Sequence, residues 1–258
     1  MAVEVNGRPA RVEELTSPGL ANYAHYTVME VVDGHVRGLR HHLRRLDENA
    51  RVLHGCGVDG DRVRELVRHA VGPRPDPAVA RVTVFSMDGG DGDPDVLVAT
   101  SPPPEPETRP LRLQSVTFVR DLPEVKHVGT FGQVLRRRTA RRHGFDDVLL
   151  VDPGGRVSEG STWNAGFFDG DRVIWPDAPV LPGIAMQLVR AGLDERGMPW
   201  ETREVRLADL PRYRSAFITQ LLVGARSVAT IDGAAFTVDP ELLSLLQASY
   251  ESTPPEPL

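Results

Sequence analysis

The sequence predicts an α+β fold in two domains, and three observations predict it. Segments of alternating apolar and polar residues recur along the chain between turn signals, as half-buried strands require. Among them lie a few stretches whose apolar residues are three and four apart, the spacing of one helix face. The run Ser101-Pro102-Pro103-Pro104-Glu105-Pro106-Glu107 interrupts both patterns. Closely spaced prolines favour a stiff extended connector, so the chain reads as a smaller domain, 1–105, and a larger one, 106–258. A length of 258 residues suits two moderate domains.

The elements follow in order. Residues 2–12 alternate and turn at Asn6-Gly7, a hairpin signal. Residues 24–38 repeat the pattern, with Tyr26, Val28, Glu30 and Val32 before a turn at Asp33-Gly34. Leu39, Leu43, Leu46, Ala50 and Leu53 mark a helix over 39–54, and Val63, Leu66, Val67 and Val71 a second over 60–71. Strands at 79–86 and 94–100 flank a Gly/Asp-rich loop, 88–93. Beyond the prolines a strand at 111–119 leads to a loop holding Lys126, then a helix at 131–142. Strands follow at 147–151, 156–159, 164–168 and 172–175. Leu181-Pro182-Gly183 starts a helix at 183–196. Strands at 201–206, 214–220 and 226–231 precede a helix begun by Asp239-Pro240. The proline-rich end, 253–258, is expected to be disordered.

Composition narrows the function classes. A net charge of -6 offers no basic surface for nucleic acid. The one basic cluster, Arg136-Arg137-Arg138 with Arg141-Arg142, reads as the solvated side of a helix. A single cysteine, Cys56, excludes an intrachain disulfide framework and suits a reducing cytoplasm. No apolar run approaches the roughly 18 residues that span a membrane, and residues 1–7 lack the pattern of a signal peptide.

Lys126 is the only lysine; every other position among the 30 Lys and Arg is arginine. A desolvated amine can shed its proton and attack a carbonyl, whereas a guanidinium stays protonated. The chemistry that needs an amine is a Schiff base to an aldehyde cofactor or a ketone. Two further motifs follow in the same domain: Val157-Ser158-Glu159-Gly160-Ser161-Thr162-Trp163-Asn164 and Leu181-Pro182-Gly183-Ile184. A fourth, His42-Leu43-Arg44-Arg45-Leu46, lies on the first helix. This ordered set resembles the class IV (fold-type IV) pyridoxal-phosphate enzymes, which include branched-chain and D-amino-acid aminotransferases and 4-amino-4-deoxychorismate lyases.

The resemblance covers most of the chain. It implies a small N-terminal and a larger C-terminal domain with the site between them, a homodimer, and pyridoxal 5'-phosphate as cofactor. Lys126 would form the internal aldimine and move the proton at the substrate Cα. Glu159 would face the pyridine nitrogen and keep the ring an electron acceptor. Arg45 would hold the phosphate; Arg44 points about 100° away on the helix. The N–H groups of Ile184 and Ala185 would bind the phosphate at a helix start, with Gly183 allowing close approach. Ser161 and Thr162 would add hydroxyls. Gln220 and Leu221 would border the cofactor, and Tyr26, Thr27 and Thr219 the small amino substrate.

The chain also departs from the family pattern. Ala185 and Leu221 stand where many members place phosphate-binding threonines, and Phe131 where branched-chain enzymes have a tyrosine. Ser86-Met87 occupies the strand end where D-amino-acid enzymes carry an arginine. Lys126-His127, Thr27 and Gln220-Leu221-Leu222 look more like the lyases. The expected activity is therefore transamination of a small amino acid or amine. The alternatives are a lyase that releases pyruvate and a family fold that has lost catalysis and serves as a binding module.

Overall fold

The computed structural model describes residues 2–73, 77–86, 94–105 and 107–258. The Gly/Asp-rich loop 88–93, Met87 and Pro106 lie outside the described residues. In chain order the elements begin with β1 (Val3–Val5), β2 (Arg8–Pro9), β3 (Ala24–Val32), β4 (His35–Arg37), α1 (Leu39–His54), α2 (Gly60–Val71), β5 (Ala78–Phe85) and β6 (Asp95–Ser101). Next come β7 (Leu111–Thr117), α3 (Phe131–Arg142), β8 (Asp147–Val151), β9 (Val157–Gly160), β10 (Asn164–Phe168) and β11 (Val173–Pro176). The chain closes with α4 (Ile184–Glu195), β12 (Trp200–Arg203), β13 (Ser215–Gln220), β14 (Gly224–Ile231), β15 (Ala234–Ala235), α5 (Pro240–Glu251) and β16 (Pro255–Pro257). Short helical turns at Val12–Leu15, Ser17–Ala21 and Leu207–Arg212 carry no periodic signal in the sequence.

Two units result. The first comprises Met1–Glu105, Val125–Gly129 and Pro254–Leu258; the second comprises Pro106–Glu124 and Thr130–Thr253. The change of unit at residue 105 falls in the proline run, but the lysine loop and the closing residues return to the first unit.

The first unit is an antiparallel sheet in the order β16-β4-β3-β5-β6-β1-β2. Both predicted hairpins turn through left-handed residue pairs, Asn6 (φ 50°) with Gly7 (79°) and Asp33 (50°) with Gly34 (72°). That geometry matches the twist of the flanking strands. One face of the sheet packs Met29, Val31, Val82 and Val84 against Leu39, Leu46, Val63 and Val67 of α1 and α2. α1 ends at Gly55, whose φ of 72° a side chain would resist. α2 starts at Asp59, whose carboxylate accepts the N–H of Asp61 at 2.9 Å.

The expectation of disorder over 253–258 is corrected. Pro255–Pro257 forms an edge strand on β4, with Glu256 opposite Val36. Leu258 is buried in the α1/α2 core, its N–H bonds the Gly34 carbonyl at 3.0 Å, and Arg68 donates to its carbonyl oxygen. Prolines lack an N–H to pair, which suits an edge position.

The second unit is a mixed sheet that closes on itself. Its strand order is β12-β11-β10-β13-β14-β7-β8-β9, and β9 also pairs with β10 through Glu159 and Asn164. Six strands thus form a ring. Alternate residues, including Leu113, Leu149, Val157, Ala165, Phe167 and Ile218, fill its interior. The opposite face of β10, β13 and β14 is covered by α4 and α5 through Phe217, Leu188, Val189 and Leu246. Helix α3 packs Ala140 on Val148 and Leu150. α5 is capped as expected by Asp239, whose carboxylate accepts the N–H groups of Glu241 and Leu242, each at 3.1 Å.

Candidate active site

In the first unit β4 pairs only with Val31 and Val32 of β3, which leaves the edge of β3 open from Ala24 onward. The lysine loop pairs with the first part of it, Ala24 to Tyr26. Tyr26 N–H bonds the Lys126 carbonyl at 2.9 Å, and Val128 N–H bonds the Ala24 carbonyl at 2.9 Å. His127 stands opposite His25. On the other side the Lys126 N–H donates to Asn49 Oδ1 of α1 at 3.1 Å. The loop is therefore held by backbone pairing and by a buried amide, with Val125 fully buried and Val128 packed on Val5, Ala24 and Phe85. Strand alternation sends Lys126 to the same face as Tyr26, and its Nζ lies 4.9 Å from the Tyr26 ring centroid. The guanidinium of Arg81 stacks on that ring at 3.6 Å, so the phenol is a rigid wall beside the amine.

Arg45 and Thr27 meet on the helix-facing side. Arg45 Nη2 donates to Thr27 Oγ1, and the same hydroxyl lies 2.7 Å from His42 Nδ1. Thr27 and His42 are fully buried and Arg45 nearly so. The Thr27 hydroxyl thus links the Arg45 guanidinium to the His42 ring in one buried relay. Burial, followed by the charge of Arg45 and, less strongly, of His41 and Lys126, pushes His42 well below its ordinary value, which keeps the ring neutral. Burial lowers Arg45 to about 10, and its Nε has no partner. Arg44 sits on the exposed side of α1 with Glu48 at 3.9 Å, as the 100° rotation predicts.

In the second unit Glu159 is buried, and its Oε1 lies 2.8 Å from Arg120 Nε. Its Oε2 accepts the Leu181 N–H at 3.1 Å. The pairing of β8 with β9 slips between Leu149/Gly160 and Val151/Val157, so Ser158 and Glu159 together oppose one residue. Such a bulge re-aims a side chain; here it turns Glu159 away from the ring interior that Val157 fills. Asn164 joins the group. It stands opposite Glu159 on one side and Thr219 on the other, and its Nδ2 donates to the Leu181 carbonyl at 2.8 Å. A Cβ on Gly183 would sit 1.9 Å from Asn164 Oδ1, so glycine is required there for packing and not for a left-handed φ. α4 then begins without a side-chain cap. Ile184 and Ala185 bury their side chains under the sheet.

Ser161 Oγ and Thr219 Oγ1 are buried hydroxyls without a hydrogen-bond partner. Unsatisfied buried polar atoms are uncommon in native structures. Beside an uncapped helix start and a buried carboxylate they fit a ligand that carries both a phosphate and a ring nitrogen. Leu221 lies in the turn after β13, where its carbonyl accepts from Tyr250 Oη at 2.7 Å. Thr162 and Gln220 line a separate cavity at the mouth of the ring. Arg120, Asn164 and Asn49 were not singled out as site residues in the sequence. Asn164 closes the Glu159 motif, which was a usable signal. Arg120 and Asn49 carry no local pattern, because their partners lie far along the chain.

The basic cluster of α3 is also not a wholly solvated face. Arg136 stacks on Phe118 at 3.9 Å, and Arg137 and Arg141 line the ring-mouth cavity.

The sequence matches the family model for class IV amino-transferases over residues 24–231. The chain belongs to this family. Pyridoxal 5'-phosphate is the cofactor that membership assigns, and the fold is the two-domain α+β architecture of fold-type IV. Among solved structures the chain resembles a branched-chain aminotransferase from Thermoproteus uzoniensis, in complex with norvaline, at 19% identity and a TM-score of 0.84, covering 96% of this chain and 93% of that one. It resembles a pyridoxal-phosphate-bound hypothetical aminotransferase from Mycobacterium tuberculosis at 23% identity and a TM-score of 0.79, covering 92% and 91%. A fold IV transaminase from Curtobacterium pusillum matches at 21% identity and a TM-score of 0.80, covering 91% and 85%. No curated protein matches the sequence. Among the described residues no helix is long and apolar enough to cross a membrane, and no cluster of metal-ligating side chains occurs.

Proposed function

We infer that the class IV aminotransferase transfers the amino group of a small amino acid or amine, with Lys126 as the group that holds the cofactor and moves the substrate proton. The observation that carries this reading is the placement of the chain's only lysine. Its loop is paired to β3 on one edge and bonded to Asn49 on the other, with the amine against Tyr26. When bound, the cofactor supplies an electron sink for the pair left at the substrate Cα. Lys126 Nζ takes that proton and returns it. Glu159, fixed by Arg120 and the Leu181 N–H, is the carboxylate available to a ring nitrogen. Arg45 and the start of α4 are the phosphate partners, joined by Ser161 and Thr219. Ala185 and Leu221 give no hydroxyl, so backbone N–H groups carry that part of the load.

Purified protein saturated with pyridoxal phosphate should absorb at the visible edge, and an amino donor should bleach the band. Lys126→Ala should lack the band. Glu159→Gln should keep it while turnover falls by several powers of ten. A band that survives in Lys126→Ala overturns the reading. Lys126-His127, Thr27 and Gln220-Leu221-Leu222 favour a second reading, a lyase; pyruvate released without a keto-acid acceptor would replace transamination with it. Exposed Val119, Leu122, Phe131 and Leu135 support a homodimer, which sedimentation velocity tests.

A further inference from the structure

The ring of strands in the second unit has one end that neither the ring core nor the cradle around Glu159 uses. There the starts of β7, β8 and β14 meet the end of β13 and the β9–β10 turn around a cavity of about 390 Å³. Its wall is dominated by arginines: Arg109, Arg137, Arg141 and Arg226. Two of these are spoken for in part. Arg109 pairs with Asp146 at 2.7 Å, and Arg226 pairs with Glu107 at 3.2 Å while its Nε donates to the Arg109 carbonyl at 2.7 Å. Glu107 is largely exposed, so its attraction is screened. Arg141 Nε reaches the Asp146 carbonyl at 3.0 Å. Among the described residues, neither Arg137 nor Arg141 has a carboxylate within ion-pair distance. Asp147, the remaining acid of the wall, already accepts Trp163 Nε1 at 3.0 Å and its neighbour's N–H at 2.7 Å.

The deciding feature is Arg226. Its side chain is nine-tenths buried, and Nη2 has no hydrogen-bond partner. A buried charged donor left unsatisfied is among the costlier features a fold can keep. A guanidinium offers paired donors in a fixed fork that matches an oxoanion. The cavity volume lies within the range of small-molecule sites, and Thr162 and Gln220 add neutral polar groups to the wall.

We propose that this cavity binds a compact oxoanion, a phosphate or a small carboxylate, held by Arg226 with Arg137 and Arg141, and that Thr162 and Gln220, expected from the sequence beside the cofactor, serve this site instead, apart from Arg45, Glu159, Ser161, Thr219 and the start of α4. Gln220 lines the cavity while its chain neighbour Thr219 belongs to the cofactor cradle, so the two sites share strand β13. The proposal stands on the cavity alone and survives even if the transaminase reading fails.

The test is isothermal titration calorimetry on protein first saturated with pyridoxal phosphate, so that its phosphate cradle is filled. Inorganic phosphate and succinate are titrated separately at constant ionic strength. The expected result is saturable binding of at least one, with the tighter titrant distinguishing a phosphate ligand from a dicarboxylate. Arg226→Gln and Arg137→Gln should each weaken it about tenfold or more, the loss expected when a charge-assisted contact is removed. Arg137 is only half-buried on α3, so its variant is expected to fold even where Arg226→Gln does not. Arg142→Gln, on the same helix but outside the cavity, should bind as wild type. Absence of saturable binding of either titrant overturns the proposal. So does an equal loss in Arg137→Gln and Arg142→Gln, which would indicate general attraction to a basic surface.

Discussion

Thr27→Val isolates the buried relay that orients Arg45. Valine matches threonine in shape, so the change opens no cavity and removes only the hydroxyl. Two groups lose their partner at once: Arg45 Nη2, which donates to Thr27, and His42 Nδ1, 2.7 Å from it. Neither finds a substitute easily, because Arg45 Nε and His42 Nε2 already have none. At about 1–3 kcal/mol for each stranded buried group, the first unit should lose about 3 kcal/mol. Arg45, with a pKa of about 10, holds its proton at pH 7 by about 4 kcal/mol. It therefore stays charged, and the phosphate proposed for it would lose orientation more than attraction. Hydrogen exchange read by mass spectrometry should show peptides from Leu39–His54 exchanging roughly a hundredfold faster, since 1.4 kcal/mol is tenfold. Peptides from Ile184–Glu195, in the other unit, serve as the internal reference. Thr27→Ser should retain most of the protection. A change in α1 below about fivefold, or equal losses in the Val and Ser variants, would refute the relay.

Three other outcomes follow from the same structure. Burial first, then the charges of His54 and Arg45, lower His25 to about 3. The folded ring is neutral while the unfolded chain takes up a proton near 6.5, so stability is whole above pH 6.5 and is lost as pH falls toward 3. Urea unfolding at pH 8 and pH 5 should differ by about 2 kcal/mol from this group, and His25→Phe should flatten the difference. Gly183→Ala has an allowed backbone, φ -63° and ψ 136°, yet its Cβ would strike Asn164 Oδ1. Overpacking of about 1–3 kcal/mol should weaken pyridoxal-phosphate binding about five- to a hundredfold in a spectrophotometric titration, and unchanged affinity would remove Gly183 from the cradle. Deleting Pro254–Leu258 withdraws a buried leucine from the α1/α2 core and should cost about 2 kcal/mol, visible as faster exchange over Gly60–Val71.

Local patterns in the sequence located most elements. The Asn6-Gly7 and Asp33-Gly34 turns, the period of α1 and the Asp239-Pro240 helix start all act within a few residues, and all appear where expected. What stayed hidden depends on partners far away in the chain. Closure of the ring by Glu159 opposite Asn164, the bulge that turns Glu159 outward and the seating of Lys126 on β3 follow from non-local pairing that no window of residues encodes. The closing segment misled for a related reason. Its prolines look like an unstructured tail by composition, while an edge strand asks only for an extended backbone and a few N–H groups. Of the residues proposed for the site, Lys126, Glu159 and Arg45 stand out in the sequence because their chemistry is unusual for their surroundings. Arg120 and Asn49 were not, because an arginine and an asparagine are common everywhere.

The first unit borrows two pieces of chain from beyond its own main segment, Val125–Gly129 and Pro254–Leu258. During synthesis on the ribosome, the edge of β3 therefore stays open until residue 129 has emerged from the exit tunnel. The outer strand and the Leu258 plug arrive only after the whole second unit has been made. Whatever guards that exposed edge in the interval, a chaperone or simple speed, protects the same backbone groups that later seat the lysine. A nascent chain stalled shortly before residue 125 would carry a nearly complete sheet with a vacant edge, open to pairing with another chain.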